Sequence, residues 1–144
     1  MKIIVAKIGI IFSCSVFPCS GEFSTYSQKQ FFQTAEKVFV ARIIKAELEE
    51  RKHPWANRTE VVVKGTYELI EPIKGAVEKT GFVYDPIYGL GNCALGLMAG
   101  INYVFFKRQD GFVFLPTGSV AFITLENEAA KEYLDEIRQI AGVE

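Results

Sequence analysis

The chain has 144 residues, enough for one domain with a substantial core. Lys+Arg 16 against Asp+Glu 17 leaves a formal charge of -1, so the basic excess that phosphate-backbone binding needs is absent. One His and three Cys make a three-His or Cys/His zinc site nearly unbuildable, and 49% hydrophobic with 23% charged residues excludes a disordered chain.

Residues 1–17 read MKIIVAKIGIIFSCSVF. Lys2 and Lys7 supply a positive start, and Ile8 to Phe17 is an apolar run of signal-peptide length, about 7–15 residues. It is shorter than the ~20 apolar residues a spanning helix needs. The alternative is a core strand. Ser, Pro and Gly follow the run, and no acidic residue precedes Glu22, which favours export. Residues 1–18 are therefore read as a signal peptide or lipoprotein signal, and 19–144 as a single domain. Ile11-Phe12-Ser13-Cys14 is similar to a bacterial lipoprotein box, which makes Cys14 the candidate for lipidation. Phe12 is bulkier than such boxes usually hold, and an ordinary cut after Gly21 stays open. An exported chain enters an oxidising compartment where cysteines pair.

Tyr26 to Lys37 predicts a short helix capped by Ser24 or Ser27, with Phe31, Phe32 and Ala35 on one side. Val38 to Ile44 predicts a strand buried on both faces or a barrel strand. Glu47 to Arg58 is charged and broken by Pro54, and reads as an exposed loop or the end of a long hairpin. Thr59 to Ile70 alternates with period two, a half-buried strand, and Gly65 inside it predicts a bulge or bend. Gly81 to Tyr84 is a further short strand. Ile101 to Lys107 and Phe112 to Leu115 flank Asp110-Gly111, a hairpin signal. Leu125, Ala129, Tyr133, Leu134, Ile137 and Ile140 form the apolar stripe of a C-terminal amphipathic helix, with Thr124 as expected N-cap and Gly142 at its end. There is no internal repeat. The sum is a mainly β domain. Its expected form is a five-stranded OB-fold-like barrel with a short N-terminal helix and a C-terminal amphipathic helix, and a small open α+β sheet is the competitor.

Few residues suggest chemistry. The glycine-rich stretch 89–100 lacks a Gly-Lys-Ser/Thr and opens into a strand instead of a helix, so it reads as a structural turn and not a phosphate loop. Cys93 with His53 is the one nucleophile-base pair available, but His53 lies in a charged loop before Pro54 and reads as solvated surface. Glu47, Glu49 and Glu50 neighbour Arg51 and Lys52, a solvated charge run. Asn57-Arg58-Thr59 matches the glycosylation sequon, which matters only in a eukaryotic host. Trp55, Phe82, Tyr84 and Tyr88 are read mainly as core, with a ligand platform as the rival reading and Trp55 the most exposed of them. No cofactor, no metal and no catalytic residue is expected.

Several short pieces then fall in one order: Phe32-x-x-Ala35-x-x-Val38-Phe39-Val40-Ala41-Arg42-Ile43, a strand ending in Tyr67, Ile73-Lys74-Gly75, Phe82-Val83-Tyr84, Cys93-Ala94-Leu95-Gly96-Leu97, Gly100-Ile-Asn-Tyr103-Val104-Phe105 and Gly118-Ser119. Over roughly residues 19 to 123 the chain resembles the netrin-like (NTR) domain, and more narrowly the tissue inhibitors of metalloproteinases and their bacterial exported relatives. The resemblance implies an OB-fold barrel in an exported protein. It implies a disulfide between Cys19 and Cys93, which in the chain-entropy model adds on the order of 4 kcal/mol. In the animal members the free amino group and carbonyl of the N-terminal cysteine chelate the protease zinc. Carried over, that requires Cys19 to begin the mature chain, and Pro18 is a poor residue before a signal-peptidase cut. A lipidated Cys14 would leave Cys19 internal and remove the mechanism. Other departures are the missing Cys-x-Cys start, Ala94 at a usual glycine, and Ser119 where the second bridge expects a cysteine.

The resulting expectation is a secreted, periplasmic or envelope-attached protein that is not an enzyme. It would bind a protein partner, with a metalloprotease as candidate, through Cys19, Trp55 and Tyr88 and the loops Glu47–Arg58 and Pro86–Asn92. No nucleic acid is expected, and membrane contact only through a lipid on Cys14. The alternative is an envelope-anchored structural or adhesion lipoprotein without inhibitory activity.

Overall fold

Ser27 starts the first helix. Its hydroxyl accepts the Gln30 N–H at 3.3 Å, and the Gln30 amide oxygen accepts the Ser27 N–H at 2.7 Å, a capping box. Tyr26 and Phe31 bracket the cap with ring centroids 5.7 Å apart, the accompanying hydrophobic staple. The helix α1 (Gln28–Thr34) is shorter than expected, because Ala35 is already extended at φ -70, ψ 138. Lys74 seals its end: the ammonium donates to the carbonyls of Phe32 at 2.6 Å, Gln33 at 3.2 Å and Ala35 at 2.6 Å. This computed structural model describes residues 26–52, 57–87, 93–113 and 115–142.

Among the described residues five strands follow, with the second helix last: β1 (Lys37–Lys52), β2 (Thr59–Lys74), β3 (Thr80–Pro86), β4 (Asn102–Lys107), β5 (Val120–Phe122) and α2 (Glu128–Ala141). They form one antiparallel sheet in the order β3-β2-β1-β4-β5. The β1–β2 ladder runs to Lys52↔Thr59, so Glu47 to Lys52 is the end of a long hairpin, one of its two sequence readings.

The first half of β1 is the centre of the molecule. Phe39, Ala41 and Ile43 pack on one face with Tyr67, Val83, Leu97, Tyr103, Phe105 and Val113. Val38 and Val40 pack on the other with Val104, Phe106 and the α2 residues Leu134 and Ile137. Burial on both faces explains why Val38 to Ala41 is wholly apolar; from Arg42 on one face is open, and Arg42 and Ile44 are exposed there. The expected bend at Gly65 is present. The register shifts between Ile43 and Lys45 just across the ladder, and a Cβ on Gly65 would stand 2.8 Å from Ile43 Cδ1 and 3.0 Å from Leu97 Cδ1.

The expected barrel is not closed: the strands form an open sheet with β3 and β5 at its edges. The reason lies after β4. The chain does turn at Asp110-Gly111, with Gly111 at φ 87 and the Asp110 carboxylate accepting the Phe112 N–H at 3.0 Å. The expected return strand from Phe112 to Leu115 does not form along β4. Instead Tyr84 N–H donates to Gly111 O and Val113 N–H to Tyr84 O, both at 3.0 Å, a single parallel bridge to β3. A 3₁₀ turn (Leu115–Thr117) and Gly118 at φ 92 then lead into the three-residue β5, which the sequence reading did not foresee.

Asn127, and not Thr124, caps α2: its side-chain oxygen accepts the Ala130 N–H at 2.8 Å. Thr124 accepts the Glu126 N–H at 3.2 Å in the turn before it. Gly142 ends the helix at φ 70, as expected. Arg138 ties α2 to β2 through two bonds to the Glu71 carboxylate, at 2.9 and 2.7 Å.

Candidate interaction face

The segment 93–101 crosses one face of the sheet as a strap without regular structure, and β-strand side chains hold it down. Asp85 on β3 is fully buried, and its carboxylate accepts the N–H groups of Leu95 at 3.0 Å and Gly96 at 2.7 Å, with Leu97 as a third donor. Burial pushes its pKa up to about 6, against the three donors, which favour the ionised form. Tyr103 on β4 holds the next turn: its hydroxyl accepts the Met98 N–H and donates to Gly96 O, both at 2.9 Å. Burial raises its phenol pKa as well. The strap ends where Gly100 N–H donates to Ile43 O at 2.7 Å.

Beside the strap lies an open groove of about 430 Å³ lined by Val63, Pro86, Leu95, Gly96, Leu97 and Met98. Met98 is 59% exposed at its rim. Leu48, opposite Val63 in the β1–β2 ladder, is 69% exposed and extends the apolar surface along the hairpin. The hairpin's other side carries charge. Lys45 bonds Glu47 at 2.6 Å and Lys64 bonds Glu49 at 2.8 Å, which bears out the reading of this run as a solvated charged face. Lys45 holds the Glu47 carboxyl below its ordinary pKa.

Cys93 opens the strap and is disulfide-bonded, so it holds no thiol for nucleophilic chemistry. Cys14, Cys19, His53, Trp55 and Tyr88 lie outside the described residues. Of the expected loops, the described parts are 47–52, 57–58 and 86–87, at the hairpin end and the groove's edge. Phe82 is 48% exposed with Lys64 4.4 Å from its ring centre, and Tyr84 lies under the Arg51 guanidinium at 3.7 Å. Each ring has one hairpin cation over its face. Ser119, where the resemblance expects a cysteine, is buried, and its hydroxyl accepts the Phe106 N–H at 3.0 Å. Asp85 escaped the sequence reading, although an acid between Tyr84 and Pro86 at the end of a β-prone run was a visible anomaly.

No protein-family model matches the chain, and no curated protein matches it either.

Proposed function

We propose that the chain is an exported module, similar to the tissue inhibitors of metalloproteinases, that binds a protein partner and inhibits a metalloprotease. The observation that carries this reading is the disulfide-bonded Cys93 at the foot of a pinned strap, beside an apolar groove and an exposed hairpin end. A bonded cysteine fits an oxidising compartment. A rigid strap next to exposed apolar side chains suits a surface that docks without reordering. In this proposal Cys19 is the partner of Cys93, and Trp55 and Tyr88 extend the surface.

The proposal includes the finer fold, an OB-like barrel left partly open. The pairing order and the parallel bridge between Tyr84 and Phe112 support it. So does the curl of β1: from Lys37 to Arg51 it would span roughly 45 Å if straight. Yet Lys37 pairs with Lys107, while Arg51 stacks on Tyr84, which bridges to Phe112 only five residues further along the chain.

Intact mass of the exported protein, followed by titration of a metalloprotease panel, tests the function. A chain beginning at Cys19 that inhibits at micromolar concentration or below is the expected result. A diacylated start at Cys14, or no inhibition from a chain beginning at Cys19, removes the inhibitory mechanism, and the diacylated form favours the envelope lipoprotein.

A further inference from the structure

Lys37 and Lys107 are direct partners in the β1–β4 ladder. Like charges set opposite one another weaken a sheet, so this pairing needs a compensating reason. Both side chains are half-buried, and neither makes a salt bridge or hydrogen bond among the described residues. A third cation, Arg51, stands near Lys107 on the Tyr84 ring. The Lys107 Cε lies 4.0 Å from where a Cβ on Gly111 would stand, and the Tyr84 ring lies 3.1 Å from the same point. Arg51 is stacked on that ring at 3.7 Å. Burial, Lys37 and Arg51 lower the Lys107 pKa, and Glu36 is the one acid that opposes them. Glu49 does little for Arg51: it stands 3.8 Å away while bonding Lys64 at 2.8 Å.

With Lys64, which shares Glu49 with Arg51, four cations stand against two acids, Glu36 and Glu49, and the half-buried lysine pair keeps an excess of positive charge. An arginine laid flat on an aromatic ring keeps its N–H edge free for a planar pair of oxygens, and lysines serve as mobile point charges.

We propose that Lys37, Lys107 and Arg51 form a binding site for a phosphate-class oxyanion. The anion sits between the two lysines, relieves their repulsion across the ladder and takes the guanidinium edge of Arg51. The site stands apart from the groove and holds whether or not the chain inhibits a protease.

The test is a titration of the full chain with inorganic phosphate at constant ionic strength, followed by the lysine Cε–Hε resonances. A saturable shift at Lys107 and Lys37, with the Lys107 titration midpoint moving upward, is expected. Lys107→Met should weaken phosphate binding by about tenfold or more, the loss of one charge-assisted hydrogen bond. Lys131→Met, on the exposed side of α2, should leave it unchanged. A linear response without saturation, or undiminished binding in Lys107→Met, overturns the site. Should Lys107→Met fail to fold, Arg51→Gln carries the same expectation and the same power to refute.

Discussion

Asp85 shows how one buried group shapes the face around it. Its three backbone donors suit a carboxylate, while full burial favours the neutral acid, and burial prevails, lifting the pKa to about 6 from an ordinary 3.8. The folded state therefore binds the proton more tightly than the unfolded chain. Its contribution to stability is fully present below about pH 4 and is lost as pH rises through about 6, by roughly 3 kcal/mol in all. Denaturant titrations from pH 3.5 to 7.5 on wild type and Asp85→Asn, subtracted pairwise, isolate this dependence from that of the other carboxyls. The difference should slope between about pH 4 and 6 and be flat above. An asparagine, which has one acceptor oxygen, also leaves a strap N–H unpaired at a cost of about 1–3 kcal/mol. A flat difference across the whole range would mean that Asp85 titrates as an ordinary surface acid.

At the scale of elements, the helices depend on their ends as much as their faces. The apolar stripe of α2 was legible because its period is local, and Leu134 and Ile137 are buried where the stripe put them. The cap was misplaced by three residues, because Thr124 and Asn127 both have cap chemistry and only the chain's path to the sheet selects one. Asn127→Ala should therefore lower stability by about 1 kcal/mol, and Thr124→Ala by clearly less, read from urea midpoints at constant m-value. Equal losses would refute Asn127 as the cap. The end of α1 illustrates the same point, since the lysine that closes it arrives from β2, 42 residues along the chain from Phe32.

For the molecule as a whole, the informative feature is the gap in the sheet. The β1–β4 ladder is continuous and the β1–β2 ladder runs the length of both strands with three register shifts, whereas the chain after β4 meets β3 through one bridge. Native-state hydrogen exchange should find the bonded amides of Tyr84 and Val113 opening at lower free energy than the amides of the β1–β4 ladder. Equal protection would mean that the closure is as firm as a full ladder.

What the sequence determined by itself was local: the strand-rich character, the doubly buried first half of β1, the bend at Gly65, the turn at Asp110-Gly111 and the stripe of α2. Each follows from periodicity or from the backbone freedom of a residue and its neighbours. What only the tertiary structure decided was partnership. Phe112 sits on β3 and not β4, Asp85 pins a strap ten residues away, Ser119 bonds Phe106, and Lys107 faces Lys37. These pairings set the open edge, the interaction face and the cation cluster. None carries a period, because the contacts join residues whose meeting depends on how the whole sheet curls.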